Sequence, residues 1–441
     1  MRNYPSVGFQ VPDILLPKPG TDLSRWAVIA CDQFSSEPEY WTQVKEYVSD
    51  SPSTFELILP EVMLGTEEEV SRIRSTQLAM KQYLDRGIFQ KVEGLILVER
   101  QSLGKTRHGV MMSLDLEQYD FNKGSKTLIR ATEGTIIDRL PPRIRIREGA
   151  PLELPHILVL IDDPAFSTIE PLFEKRKNFP CLYDFDLMLG SGHLKGYHVD
   201  RPELEQMFIR SLEKLAEPDA FHARYCLQNM EPVLLFAMGD GNHSFATAKA
   251  IWERMKGMVP PDHPARYALV EVVNIHDQGL EFEPIHRVLF NVKTSLENGL
   301  SDRFGQDVHI QPCHSAALAQ QEILDAPAEV QKIGCVDSSG WRVITFSNPT
   351  SNLAVGTLQS FLDQWQAAGG FEKIDYVHGS EAVTRLGQAS GNAGFFLPPM
   401  RKTDLFKTVI LDGALPRKTF SMGEAKEKRF YMECRKIITE K

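Results

Sequence analysis

No run of roughly 18 apolar residues, the length a helix needs to cross a bilayer, occurs anywhere in the sequence. The opening Met1-Arg2-Asn3-Tyr4-Pro5 leads into no apolar stretch of the secretory kind. A cytoplasmic location and no membrane partner are therefore expected. Cysteine is sparse: Cys31, Cys181, Cys226, Cys313, Cys335 and Cys434 are scattered, with no Cys-x-x-Cys pair. That pattern signals neither a disulfide framework nor a zinc site, and fits buried reduced thiols. Basic charge is in deficit. A net charge of −10 argues against a nucleic-acid partner, which needs a cationic surface to displace counterions. Also missing are a Walker pattern, a His-Glu-x-x-His zinc motif, a Gly-x-Ser-x-Gly elbow and any internal repeat.

What is present reads as a globular α/β chain. Its 441 residues suggest two or three structural units. Trp26-Ala27-Val28-Ile29-Ala30 predicts a short buried strand. Ser36 with Glu39 has capping-box spacing and predicts a helix through Tyr40, Val44 and Tyr47. Thr66 with Glu69 predicts a second helix, with Val70, Ile73, Met80 and Leu84 on its inner face and a stop near Gly87. Residues 93–147 read as strands. Leu114 and Leu116 alternate with Ser113, Asp115 and Glu117, the pattern of a half-buried strand. Arg143-Ile144-Arg145-Ile146-Arg147 alternates too, giving either a solvated strand face or an anion-facing wall. Residues 154–161 predict a strand covered on both sides, ending at Asp162-Asp163-Pro164. A helix over 202–215 follows, with Asp200 as cap.

The expected fold class is α/β (α+β), a mixed-sheet core with one central strand–loop–helix unit. Residues 1–291 would form the main domain. Residues 292–366 would form a small α/β insertion, helical over 316–323 with strands over 332–335 and 341–346. Residues 367–441 would pack back on the main domain.

The richest chemistry lies in residues 232–257. A buried strand, Pro232-Val233-Leu234-Leu235-Phe236-Ala237-Met238, runs into Gly239-Asp240-Gly241-Asn242-His243-Ser244. Two glycines around an aspartate permit a sharp turn and close approach of a ligand to the backbone. A helix begins near Ser244, with Phe245, Ala248, Trp252 and Met255 as its apolar stripe and Gly257 as its stop. Helix N-termini present N–H groups and a positive dipole end to phosphate. His243 could contact phosphate or move a proton, and Asp240 could hold Mg²⁺ or orient the histidine. The plain alternative is a helix-capping Asp240 and a packed His243.

This motif resembles the Asp-Gly-His-His-Arg signature of the ParB/sulfiredoxin superfamily, which includes the free serine kinases. Over nearly its whole length the chain resembles a prokaryotic domain-of-unknown-function family carrying that motif. The match runs through Ala30-Cys31-Asp32-Gln33-Phe34, Ile129-Arg130-Ala131-Thr132-Glu133-Gly134-Thr135, Glu153-Leu154-Pro155-His156, Pro284-Ile285-His286-Arg287 and Leu415-Pro416-Arg417-Lys418-Thr419-Phe420. The resemblance implies a nucleotide, ATP or ADP with Mg²⁺, at Gly239, Gly241, Asn242 and Ser244. Asp240 and His243 carry over as catalytic residues, with Asp240 on the metal. Two positions depart from the signature: Asn242 stands where it has histidine and Ser244 where it has arginine. The lost arginine removes a bidentate phosphate donor, so the charge must come from elsewhere. No cysteine stands in the turn, which disfavours sulfiredoxin chemistry.

Glu133 is the expected base for an alcohol acceptor; the alternative is a structural pair with Arg130 or Arg139. Arg130 and Lys418 are further phosphate-binding candidates, and Asp32, His286 and Arg287 substrate-binding ones. Gly190-Ser191-Gly192-His193, with Asp184 and Asp186 before it, reads as a surface loop and a solvated strand face, with metal binding as the alternative. The expected function is nucleotide-dependent phosphotransfer to a small hydroxylated metabolite, by resemblance free L-serine. The rivals are a non-catalytic nucleotide-binding regulator of ParB-like type and a phosphate-ester hydrolase.

Overall fold

The computed structural model describes residues 2–135, 137, 140–327 and 330–439. The chain is mixed α/β and divides into two compact units, Met1–Leu280 with Gly423–Lys441, and Glu281–Met422. The second unit is wider than the expected 292–366. Strand His286–Val292 pairs antiparallel with Phe371–Val377, and a sheet cannot be cut between paired strands. Residues 367–422 therefore pack in the second unit, and residues from Gly423 onward return to the first.

The first unit is built on an eleven-stranded mixed sheet. Its central path runs Leu95–Ser102, Lys105–Asp115, Tyr267–Asn274, Leu158–Ile161, Phe236–Asp240. Successive side chains of a strand face opposite ways. Val110, Met112 and Leu114 accordingly join one apolar cluster, while Met111 joins another. Both faces are covered, which corrects the half-buried reading of this strand. Ser113 and Asp115 are also buried, and Asp115 is paired with Arg266 at 2.6 Å. The strand ends at Asp115, and Leu116 opens a short 3-10 turn.

Several helix starts differ in detail from expectation. Helix Pro38–Val48 begins on its proline with Glu37 at the cap position and no side-chain cap bond, so Ser36 and Glu39 form no capping box. Helix Glu69–Asp85 starts at Glu69, whose carboxylate accepts the Gly65 N–H at 2.7 Å. Thr66 instead donates its hydroxyl to the Met63 carbonyl, and Val70 is exposed. Helix Pro202–Leu215 has Arg201, not Asp200, at its cap, and buries Leu204, Phe208, Ile209, Leu212 and Leu215. The arginine-rich stretch is not a strand: it forms helix Leu140–Arg147. Pro141 and Pro142 lack the N–H that a central strand requires, and their fixed φ suits a first helical turn. Arg143 and Arg147, four apart, then share a face.

Buried charge ties the unit together. Glu271 sits mid-strand, 1% exposed, between Arg429 and Arg107. Arg429 also donates to Glu433 and to the Pro155 carbonyl. Gly109 makes room for this carboxylate: an added Cβ would lie 2.4 Å from Glu271 Oε1. A second buried set joins Arg435 and Arg147 to Glu153, both at 2.6 Å.

The second unit is a six-stranded antiparallel sheet ordered Val308–Cys313, Gly340–Phe346, Gln331–Asp337, Ala393–Phe396, His286–Val292, Phe371–Val377. The expected helix and strand pair appear as Ala316–Leu324, Gln331–Asp337 and Gly340–Phe346.

Two outcomes follow. Replacing Arg429→Met leaves an excess of buried negative charge around Glu271 and Glu433. It should cost about 3–5 kcal/mol, read by urea unfolding. His286, buried in the second unit, accepts the Leu397 N–H at 3.2 Å and is pushed down to about 4 by burial, with repulsion from Arg287 and His378 adding to it. The folded value lies below the unfolded one, so the neutral ring's contribution is complete above about pH 6.5 and is lost as pH falls toward 4. Unfolding of wild type should lose about 2 kcal/mol between pH 7 and 5 from this ring, and His286→Asn should lack that part of the slope.

Candidate functional site

Strand Phe236–Asp240 pairs antiparallel with Leu158–Ile161 and parallel with Ile129–Arg130. It delivers Asp240 to the edge of the sheet beside Leu158. The chain then reverses through Gly241, at φ 76°, into helix Asn242–Met255. A side chain at Gly241 would meet Ile157 Cα at 3.0 Å as well as suffer the left-handed backbone, so glycine is required twice over. The helix has no side-chain cap. Asp240 Oδ1 accepts the N–H of Gly241 at 2.9 Å, and its Oδ2 binds Lys428 Nζ at 3.0 Å. Burial opposes ionisation of Asp240, but Lys428, His156 and the Gly241 N–H outweigh it and hold the carboxyl below the usual range. Lys428 thus puts a cation beside the turn.

Behind the turn lies a cavity of about 130 Å³. Ser244 and Thr247 from the helix, Arg143 and Arg147 from Leu140–Arg147, and Cys31, Glu61, His156 and Tyr431 line it. Ser244 Oγ lies 3.1 Å from His156 Nε2, and Tyr431 Oη lies 2.8 Å from His156 Nδ1. The Cys31 N–H donates to the same phenol oxygen at 3.2 Å. Glu61 is ion-paired with Arg143. Burial raises the Glu61 carboxyl despite that arginine, and Asp32 adds to the rise. Burial also pushes the Cys31 thiol up to about 12 and the Tyr431 phenol well above its ordinary value.

The expected residues fall into three groups. Gly239, Asp240, Gly241, Asn242, His243 and Ser244 form the turn and first helical turn, with the Asn242 Oδ1 atom buried. The main chain leading to Glu133 runs beside this strand: Ala237 pairs with Arg130, and the Thr132 hydroxyl reaches the Met238 carbonyl at 2.6 Å. Asp32 acts electrostatically on Cys31 and Glu61, at the cavity. Arg130 is nearby in sequence but differently employed. It is buried, lowered to about 10 by burial, and donates to the carbonyls of Thr127 and Pro232 at 2.8 and 2.6 Å. Arg139, its expected rival for Glu133, lies outside the described residues.

The third group lies in the second unit. Arg287 is fully buried and bonds Gln359 and the Ile285 and Arg417 carbonyls. His286 packs on Phe396, and Lys418 is exposed in a turn at φ 54°. Elsewhere in the first unit, Asp184 and Asp186 flank His193, each 2.6 Å from a ring nitrogen. Among the described residues no group of three or more His, Cys, Asp or Glu side chains is poised for a metal.

Sequence reasoning missed Lys428, Tyr431 and Glu61, and gave His156 no role. His156 was visible within Glu153-Leu154-Pro155-His156. No motif marks Lys428, which reaches Asp240 across 188 positions of sequence.

Likeness to solved structures is distant. A conserved hypothetical protein from Pyrococcus furiosus is 8% identical, covering 74% of this chain and 95% of its own, with a TM-score of 0.35. A C-terminally truncated SbnI from Staphylococcus aureus is 10% identical over 73% and 85%, TM-score 0.34. A free serine kinase mutant in complex with AMP is 9% identical over 74% and 92%, TM-score 0.37. No curated protein matches the chain in sequence. No helix among the described residues is long and apolar enough to cross a membrane. The family model described as "Protein of unknown function (DUF1015)" matches residues 15–365, and the chain belongs to that family.

Proposed function

We propose that the first unit is a nucleotide-dependent phosphotransferase acting on a small hydroxylated metabolite, with free L-serine as the substrate to try first. One observation carries this reading. An uncapped helix N-terminus follows a glycine turn, and the adjoining aspartate is held by a mostly buried lysine, Lys428. Backbone N–H groups, a dipole end and a positioned cation together make an anion site. The motif's resemblance to the serine kinases supplies the substrate class.

In this reading Gly239 to Ser244 cradle the phosphates, and Lys428 provides the charge that the missing signature arginine would have given. Asp240 is a single carboxylate, which suits an ion bound mainly through phosphate oxygens, as Mg²⁺ usually is. When bound, Mg²⁺ would neutralise charge on the phosphate chain. Glu133 would take the acceptor's proton, and His243 would contact the transferred group. Phosphoryl transfer is mostly positioning and charge stabilisation, which these groups provide.

Phosphorus NMR of the protein with ATP or ADP, Mg²⁺ and L-serine should show phosphoserine, and His243→Ala should abolish the signal. Nucleotide binding without turnover across a panel of alcohols would favour a non-catalytic regulator. An absence of binding at millimolar nucleotide would overturn both. Lys428→Met should weaken nucleotide binding roughly 10- to 100-fold by calorimetry, the worth of a charge-assisted hydrogen bond.

A further inference from the structure

Ser244 is the third residue of helix Asn242–Met255, and its hydroxyl opens into the cavity. At 3.1 Å from His156 Nε2 it is within reach of proton transfer. The ring is fixed on its other side. Tyr431 Oη lies 2.8 Å from Nδ1 and receives the Cys31 N–H at 3.2 Å. As an acceptor for Nδ1–H, the phenol oxygen would hold the ring with Nε2 toward Ser244. In the Nδ1–H tautomer the Nε2 lone pair faces the serine hydroxyl. A nucleophile, a base and a group that orients the base thus stand in line, in a cavity that Arg143 also lines. Both His156 and Tyr431 are buried, so the line is held by packing as well as by hydrogen bonds.

We infer that Ser244 Oγ is a catalytic nucleophile, with His156 as its base and Tyr431 as a positioning residue, and that the site passes a phosphoryl group through a covalent phosphoserine. In the first half, Oγ bonds to phosphorus, its proton moves to His156 Nε2, and the phosphorus–oxygen bond to the leaving group breaks. The leaving oxygen keeps the electron pair and takes the proton from His156. In the second half an acceptor hydroxyl, or water, attacks phosphorus while His156, here in place of Glu133, takes its proton. The Oγ–phosphorus bond breaks and that proton ends on Oγ. The substitution that removes the signature arginine is then what creates this site: serine leaves space and presents a hydroxyl to His156. The inference rests on the phosphate-binding reading only for the identity of the group transferred.

The test uses the full chain and diisopropyl fluorophosphate, with ADP calorimetry run in parallel. Mass spectrometry should find one adduct at Ser244, in the tryptic peptide 225–249. Ser244→Ala should abolish it and His156→Gln should slow it at least 100-fold. Tyr431→Phe should shift the pH profile of labelling, which a merely structural role would leave unmoved. Ser244→Cys keeps the volume. Its new thiol should react with iodoacetamide faster than the exposed Cys226, which tests activation even if His156→Gln fails to fold. ADP binding with no adduct at Ser244, or a slow Ser244→Cys thiol, overturns the nucleophile and leaves the phosphate-binding reading standing. An adduct at Ser244 without ADP binding upholds the nucleophile and replaces the kinase reading by that of a phosphate-ester hydrolase.

Discussion

A guanidinium held between two buried carboxylates organises the first unit. Arg429 joins Glu271, in the middle of the sheet, to Glu433 in its own segment, and braces the Pro155 carbonyl. Charges this deep persist only when paired and hydrogen-bonded. Glu271 fixes where Arg429 sits, and Arg429 fixes where its neighbours go. Lys428, one residue before, reaches Asp240, and Tyr431, two after, reaches His156. Pro155, whose carbonyl Arg429 holds, adjoins His156. The candidate site is therefore positioned from below by charge in the core. It does not depend on the turn alone.

The strand–turn–helix at Gly239–Ser244 was legible because its signals are local. An apolar run, two glycines and a helical stripe all fall within residues 232–257. The failures have local causes too. The arginine alternation over 143–147 has strand period, but the pair of prolines before it decides for a helix. Leu114 and Leu116 alternate with polar residues, yet Asp115 is buried because Arg266 meets it there. The two capping-box spacings were real, but prolines and preceding turns supplied the helix starts.

The site's other half was illegible for a different reason. Lys428 and Tyr431 come from a segment whose own pattern is readable in hindsight: Phe430, Met432 and Cys434 enter the apolar cluster, alternating with Arg429, Glu433 and Arg435 except at Tyr431, which joins the cluster too. Such alternation announces a strand-like segment with charge on one side. It does not announce which strands it will meet, because its partners lie hundreds of residues away. Arg130 shows the converse. Its place in a motif suggested phosphate, whereas its guanidinium is occupied by main-chain carbonyls.

The return of residues 423–441 to the first unit has a consequence for how the protein is made. The Trp26 indole donates to the Met432 carbonyl, 406 positions later. On the ribosome, the first 280 residues emerge with Glu271 lacking Arg429 and Asp240 lacking Lys428. The whole of Glu281–Met422 must be synthesised before those partners arrive. Contacts so distant in sequence close late and slowly. Until then the first unit holds uncompensated charge in a half-formed interior.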